Sequence, residues 1–181
     1  MSTTATETQT LTGVWNLDPV HSAIGFEVPY LAGTFKGQFR ETSGRLTVED
    51  GRGRLEGSAQ VASVDVKDEN LAAHLQSPEF FDAERNPELR FEADDVAIDG
   101  GTVKAQGQIT IKGVTKDVEV EGTSTGPIVD GYGNERIGLQ LSAVVDRTAF
   151  GLEWNMPLPS GEQALPNEVT IVTDLQFVKE S

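Results

Sequence analysis

Apolar side chains recur at every second position along most of this chain, and that period limits its fold more than any other feature. Ile24, Phe26 and Val28 alternate with Ala23, Gly25 and Glu27, and Phe35, Gly37 and Phe39 alternate with Thr34, Lys36 and Gln38. Leu55, Gly57, Ala59 and Val61 form another row, and Val103, Ala105, Gly107, Ile109 and Ile111 a longer one. Later rows are Ile137, Leu139, Leu141, Ala143 and Val145, then Val169, Ile171, Leu175 and Phe177. Successive residues of a strand point to opposite faces, so each row marks one apolar face. Glu49-Asp50-Gly51, Asp99-Gly100-Gly101 and Lys112-Gly113 fall between rows at hairpin spacing. About eight or nine strands follow, which predicts an all-β barrel or sandwich. Closing the sheet into a barrel would remove its exposed edges.

Two segments break the alternation. In residues 68–81, DENLAAHLQSPEFF, Asp68 is a helix N-cap, and Leu71 and Leu75 lie one turn apart. Pro78 limits that helix to about two turns or restarts it as a second short piece. Residues 149–167 carry Pro157, Pro159 and Pro166 and read as a loop lying over the barrel. Residues 1–11 read as a disordered polar tail and 12–181 as one domain.

Several inward positions are small: Gly37, Gly57, Ala59, Ala105, Gly107 and Ala143. Two readings stand. Glycine eases strand curvature, or small residues leave volume in a barrel just wide enough to hold a ligand. Composition narrows the ligand. The net charge of −15 repels polyanions, which makes nucleic acid a poor partner and anionic lipid surfaces a poor dock. Cysteine is absent, so no thiolate chemistry is available. No apolar stretch approaches the ~18 residues of a membrane span, and the opening MSTTATETQT has no signal-peptide pattern, so a cytoplasmic protein without membrane insertion is expected.

Five blocks, in order, resemble a known family. They are Trp15 to Phe26 (WNLDPVHSAIGF), Gly33 to Phe39 (GTFKGQF), and His74 to Asp82 (HLQSPEFFD) with Asn86-Pro87 and Phe91. Ile109 to Thr115 (ITIKGVT) and Arg147 to Gly151 (RTAFG) complete the set. Together they resemble the YceI-like, polyisoprenoid-binding family over nearly the whole chain. The resemblance implies an extended eight-stranded antiparallel barrel, lipocalin-like, with one or two short helices. It also implies a central apolar tunnel, a long isoprenoid or other lipid-like ligand, a homodimer and no established catalysis. Pro29-Tyr30-Leu31, Asn86 and Ala149 depart from the family pattern, which bears on the ligand's identity rather than the fold.

Candidate ligand-contacting residues are Phe26, Phe35, Phe39, Leu75, Phe80, Phe81, Phe91, Phe150 and Trp154, each of which is equally suited to ordinary core. His21 and Asp18 have the spacing of a local turn contact; a headgroup contact or a catalytic dyad are the sharper alternatives. Arg147 is costly to bury unpaired, and an ion pair with Asp18 or Glu153 is expected, the alternative being an anionic headgroup. Two distant histidines make a metal site a poor reading, DGYGNE reads as a hairpin turn, and no cofactor is expected. The leading expectation is a non-catalytic carrier of a long apolar molecule. The alternatives are an enzyme acting on bound lipid through His21 and Asp18, or a filled structural barrel.

Overall fold

The computed structural model describes residues 11–180. Eleven strand segments form one antiparallel sheet that closes on itself through pairing of the first with the last. They are β1 Gly13–Leu17, β2 Ala23–Tyr30, β3 Gly33–Phe39, β4 Thr42–Glu49, β5 Arg52–Gln60, β6 Val64–Asp65, β7 Glu88–Asp99, β8 Thr102–Ile111, β9 Val114–Val129, β10 Glu135–Asp146 and β11 Glu168–Lys179. β1 and β2 are halves of one broken path, because both pair with β11, at Leu17↔Phe177 and Ala23↔Asp174. β3 and β4 likewise run against that path, and β5 and β6 against β4 and β3 in turn. Merging these three broken pairs leaves eight antiparallel strands in chain order around a closed barrel.

Local chemistry explains the breaks and turns. Pro19–His21 forms a single 3-10 turn capped by Asp18, whose carboxylate accepts from Val20 N at 3.0 Å. At Gly100 and Gly101 φ is +58° and +85°, the left-handed conformation of both central residues in a primed turn. The same two-residue geometry recurs at Asp50-Gly51 and Lys112-Gly113. The helix α1, Glu69–Gln76, starts at Asp68, whose carboxylate accepts from Leu71 N at 3.0 Å. It ends at Ser77, whose hydroxyl donates to His74 O at 2.6 Å, directly before Pro78.

Of the expected tail, Leu11 alone is described: its carbonyl accepts from Gly51 N, and its side chain packs against the core. Residues 1–10 lie outside the described residues. The barrel has two unlike ends. At the end holding the β4–β5, β7–β8 and β9–β10 turns, Trp15, Leu46, Val96, Val103, Ile137 and Leu139 are almost wholly buried and interlock across the middle. At the other end sit α1, residues 77–87 and the 151–167 loop.

Candidate functional site

The capped end encloses an apolar cavity of about 360 Å³. Ile24, Phe26, Val28, Phe35 and Phe39 form one side of its wall. Leu141, Ala143 and Val145 of β10, with Val169 and Ile171 of β11, form another. Leu55, Leu175 and Phe177 close its inner limit, and none of the six interlocked residues at the packed end reaches it. The expected tunnel is therefore a blind pocket. Large side chains meet across one half of the barrel and stand apart in the other.

The small inward residues divide between the two readings. Gly57, Ala59 and Ala143 face the cavity, and a Cβ built on Gly57 finds no atom nearer than Ser43 O at 3.8 Å. Gly37 and Gly107 instead lie under aromatic rings. A Cβ on Gly37 would fall 2.5 Å from the Phe26 ring, and one on Gly107 would fall 2.9 Å from the Phe91 ring. Each glycine lets a neighbouring strand's phenylalanine fold flat against the wall.

Two aromatic groups shape the pocket. Phe26 packs on Phe35, Phe39 and Phe81 at centroid separations of 5.9, 6.0 and 6.3 Å. His74, Phe80 and Trp154 form the second, with His74 edge-on to both rings at 4.8 and 5.4 Å. His74 Nε2 lies 2.6 Å from Glu79 Oε2. Leu75, Phe91 and Phe150 complete the candidates in the wall, together with Arg147. His21 is not in the wall. Its side chain is 61% exposed, and its Nδ1 lies 2.8 Å from Asp18 Oδ2. Asp18 in turn accepts from Arg136 Nη1 at 2.7 Å, so its partner is Arg136 and not Arg147.

Among the described residues Arg147 makes no ion pair, contrary to the sequence-based expectation. It is 6% exposed, and backbone carbonyls hold it: Nε donates to Pro166 O at 2.9 Å, and Nη1 to Leu152 O at 2.6 Å and Trp154 O at 2.9 Å. Burial pushes its pKa down, with Asp146 opposing weakly. The nearest acid in sequence is engaged elsewhere, since Asp146 accepts from Thr148 N and Oγ1 at 2.9 and 2.6 Å. Sequence reasoning also passed over Lys112, the first residue of the β8–β9 turn. Its ammonium donates to Pro78 O at 2.6 Å and Gly151 O at 3.3 Å, tying together the two segments that cap the pocket. The Lys-Gly pair signals a turn, but nothing local signals those distant carbonyls.

Residues 15–177 match the model of the YceI-like domain. A UPF0312 protein of Staphylococcus epidermidis is 28% identical over 171 residues, covering 90% of this chain and 96% of that protein. A UPF0312 protein of Pseudomonas aeruginosa is 27% identical over 149 residues, 80% of this chain and 78% of that one. Among solved structures, Burkholderia cenocepacia BcnA superposes with a TM-score of 0.74 at 20% identity, covering 88% of this chain and 98% of that one. A polyisoprenoid binding domain from Saccharophagus degradans superposes with a TM-score of 0.71 at 13% identity, covering 92% and 98%. At such identities the superpositions establish the fold. With the barrel, the capped pocket and the family match in agreement, this chain belongs to the YceI-like family.

Proposed function

We propose that this protein is a non-catalytic carrier that holds a long apolar molecule, such as a polyisoprenoid, an isoprenoid quinone or a similar lipid, with its chain in the capped pocket. The observation that carries this reading is the cavity of about 360 Å³ walled by aliphatic and aromatic side chains inside an otherwise packed barrel. Filling it is favourable, since each buried methylene stabilises by ~0.8 kcal/mol, against an association cost of ~4–15 kcal/mol. The polyisoprenoid binding domain of Saccharophagus degradans, which shares the fold, supports the ligand class. Catalysis through His21 and Asp18 is disfavoured because the pair stands on the outer surface, away from the cavity. A wholly filled structural barrel is disfavoured by the cavity itself. Among the described residues no helix is long and apolar enough to cross a membrane. The reading includes a homodimer, which light scattering on the purified protein checks.

Native mass spectrometry and organic extraction of the purified protein test the proposal directly. Gly57→Leu supplies the matched control. A Cβ there meets only Ser43 O, at an unstrained 3.8 Å, so the variant should fold and lose uptake of apolar probes at least about tenfold. Unchanged uptake by Gly57→Leu, or a parent protein that takes up no apolar probe, would remove the pocket from consideration.

A further inference from the structure

Arg147 is the only cation among the buried residues of the described chain, and it sits in the wall of an apolar cavity. A guanidinium has five N–H donors, one on Nε and two on each terminal nitrogen. The carbonyls of Pro166, Leu152 and Trp154 take up Nε and both donors of Nη1. Among the described residues Nη2 donates to nothing, and no carboxylate lies within ion-pair distance of Arg147. Nη2 keeps some accessible surface, but a guanidinium only 6% exposed and without an ion-pair partner is costly to the fold. The three carbonyls also prevent the guanidinium from swinging out to solvent, so its free edge is held in place. The other arginine in the wall, Arg90, is largely exposed and lies 3.4 Å from Glu88.

We infer that Nη2 of Arg147 is a headgroup subsite, and that the molecule held in the pocket is an amphiphile ending in an anionic oxygen group, a carboxylate or a phosphate, rather than a plain hydrocarbon. The position within the barrel agrees. Arg147 directly follows the end of β10 beneath the 151–167 loop, while Leu55, Leu175 and Phe177 mark the inner limit. A headgroup on Arg147 therefore sends its chain inward along the aliphatic faces of β10 and β11. Charge-assisted bonds to a fixed guanidinium add orientation as well as affinity. The inference rests on the carrier reading, because it assigns one end of the ligand that the carrier would hold.

Calorimetric titration of the protein separates the two claims. The probes are geranylgeranoic acid, its methyl ester and geranylgeranyl monophosphate, which share one chain and differ at the head. The expected result is binding of the acid or the monophosphate about tenfold or more tighter than the ester. Which of the two binds tighter identifies the head group. In Arg147→Met that preference should vanish while ester binding persists. Because Arg147 also holds the loop, a second measurement does not depend on the variant. In the unaltered protein with labelled arginine, the Arg147 side-chain resonances should shift with the tighter-binding anionic probe and not with the ester. Equal affinity for all three probes, with no such shift from the acid or the monophosphate, overturns the headgroup subsite and leaves the carrier reading standing. Failure of all three probes to bind overturns both.

Discussion

At Asp18 three donors converge on one carboxylate: Arg136 Nη1 at 2.7 Å, the His21 ring at 2.8 Å and Val20 N at 3.0 Å. Arg136 is the largest influence and outweighs partial burial, so the Asp18 pKa falls from 3.8 to about 2. Asp130, which accepts from Arg136 Nε at 2.7 Å, also falls to about 2. A carboxylate whose folded pKa is depressed binds protons more readily in the unfolded chain. Its contribution to stability is therefore complete above about pH 4 and lost as pH falls towards 2. Thermal melts should show Asp18→Asn less stable than the parent at pH 7, with a shallower decline between pH 4 and 2. Parallel profiles would show that the pair with Arg136 contributes nothing. Gly107 makes a second residue-scale case. Its missing Cβ would lie 2.5 Å from Glu92 O, a backbone atom that cannot move aside. Gly107→Val should cost about 1–3 kcal/mol in denaturant unfolding and displace Phe91; no loss of stability would mean that this crowding is relieved without cost.

Among the elements, α1 was the most legible. Its cap at Asp68, its leucine pair and its stop before Pro78 are signals within a dozen residues. Leu71 and Leu75 of this helix help wall the cavity, so a start signal in the sequence fixes part of the pocket. Asp68→Ala should lower stability by about 1 kcal/mol through loss of the N-cap. Amide exchange should accelerate over residues 69–76 before it changes in the barrel. Exchange unchanged in α1 would show that Lys112 and the packing around Leu75 hold the helix without its cap. β7 was less legible. A register shift between Glu92 and Asp95 moves its buried face from Ala93 to Val96, so no single alternating row runs through it. β9 was obscured for another reason: Val118 and Val120 are the only buried residues in it, and apart from the partly buried Val114 its other inward positions are small or polar.

For the whole molecule, the division into a packed end and a capped end has an energetic signature. Leu139 is 0% exposed among the interlocked residues, and Leu141, two positions along the same strand, faces the cavity. Truncating Leu139 opens a void surrounded by close neighbours, at a cost of about 2–5 kcal/mol. Truncating Leu141 enlarges a space that already exists and forfeits fewer contacts. Leu139→Ala should therefore destabilise more than Leu141→Ala in urea, while apolar ligand binding changes more in Leu141→Ala. Equal losses in the two variants would mean that the interior is uniformly packed.

The period-two rows, the turn residues and the helix signals were enough to determine six of the strands (β2, β3, β5, β8, β10 and β11), the short helix and the all-β class. These depend on neighbours in sequence and on which face of a strand is apolar. The same rows could not tell a packed half from a hollow one, because inward Leu139 and inward Leu141 read alike in one dimension. Whether side chains meet across the middle depends on barrel radius and on residues from strands far apart in the chain. The fate of Arg147 was decided the same way: its partners are carbonyls of a loop, which every residue possesses and no pattern of side chains announces.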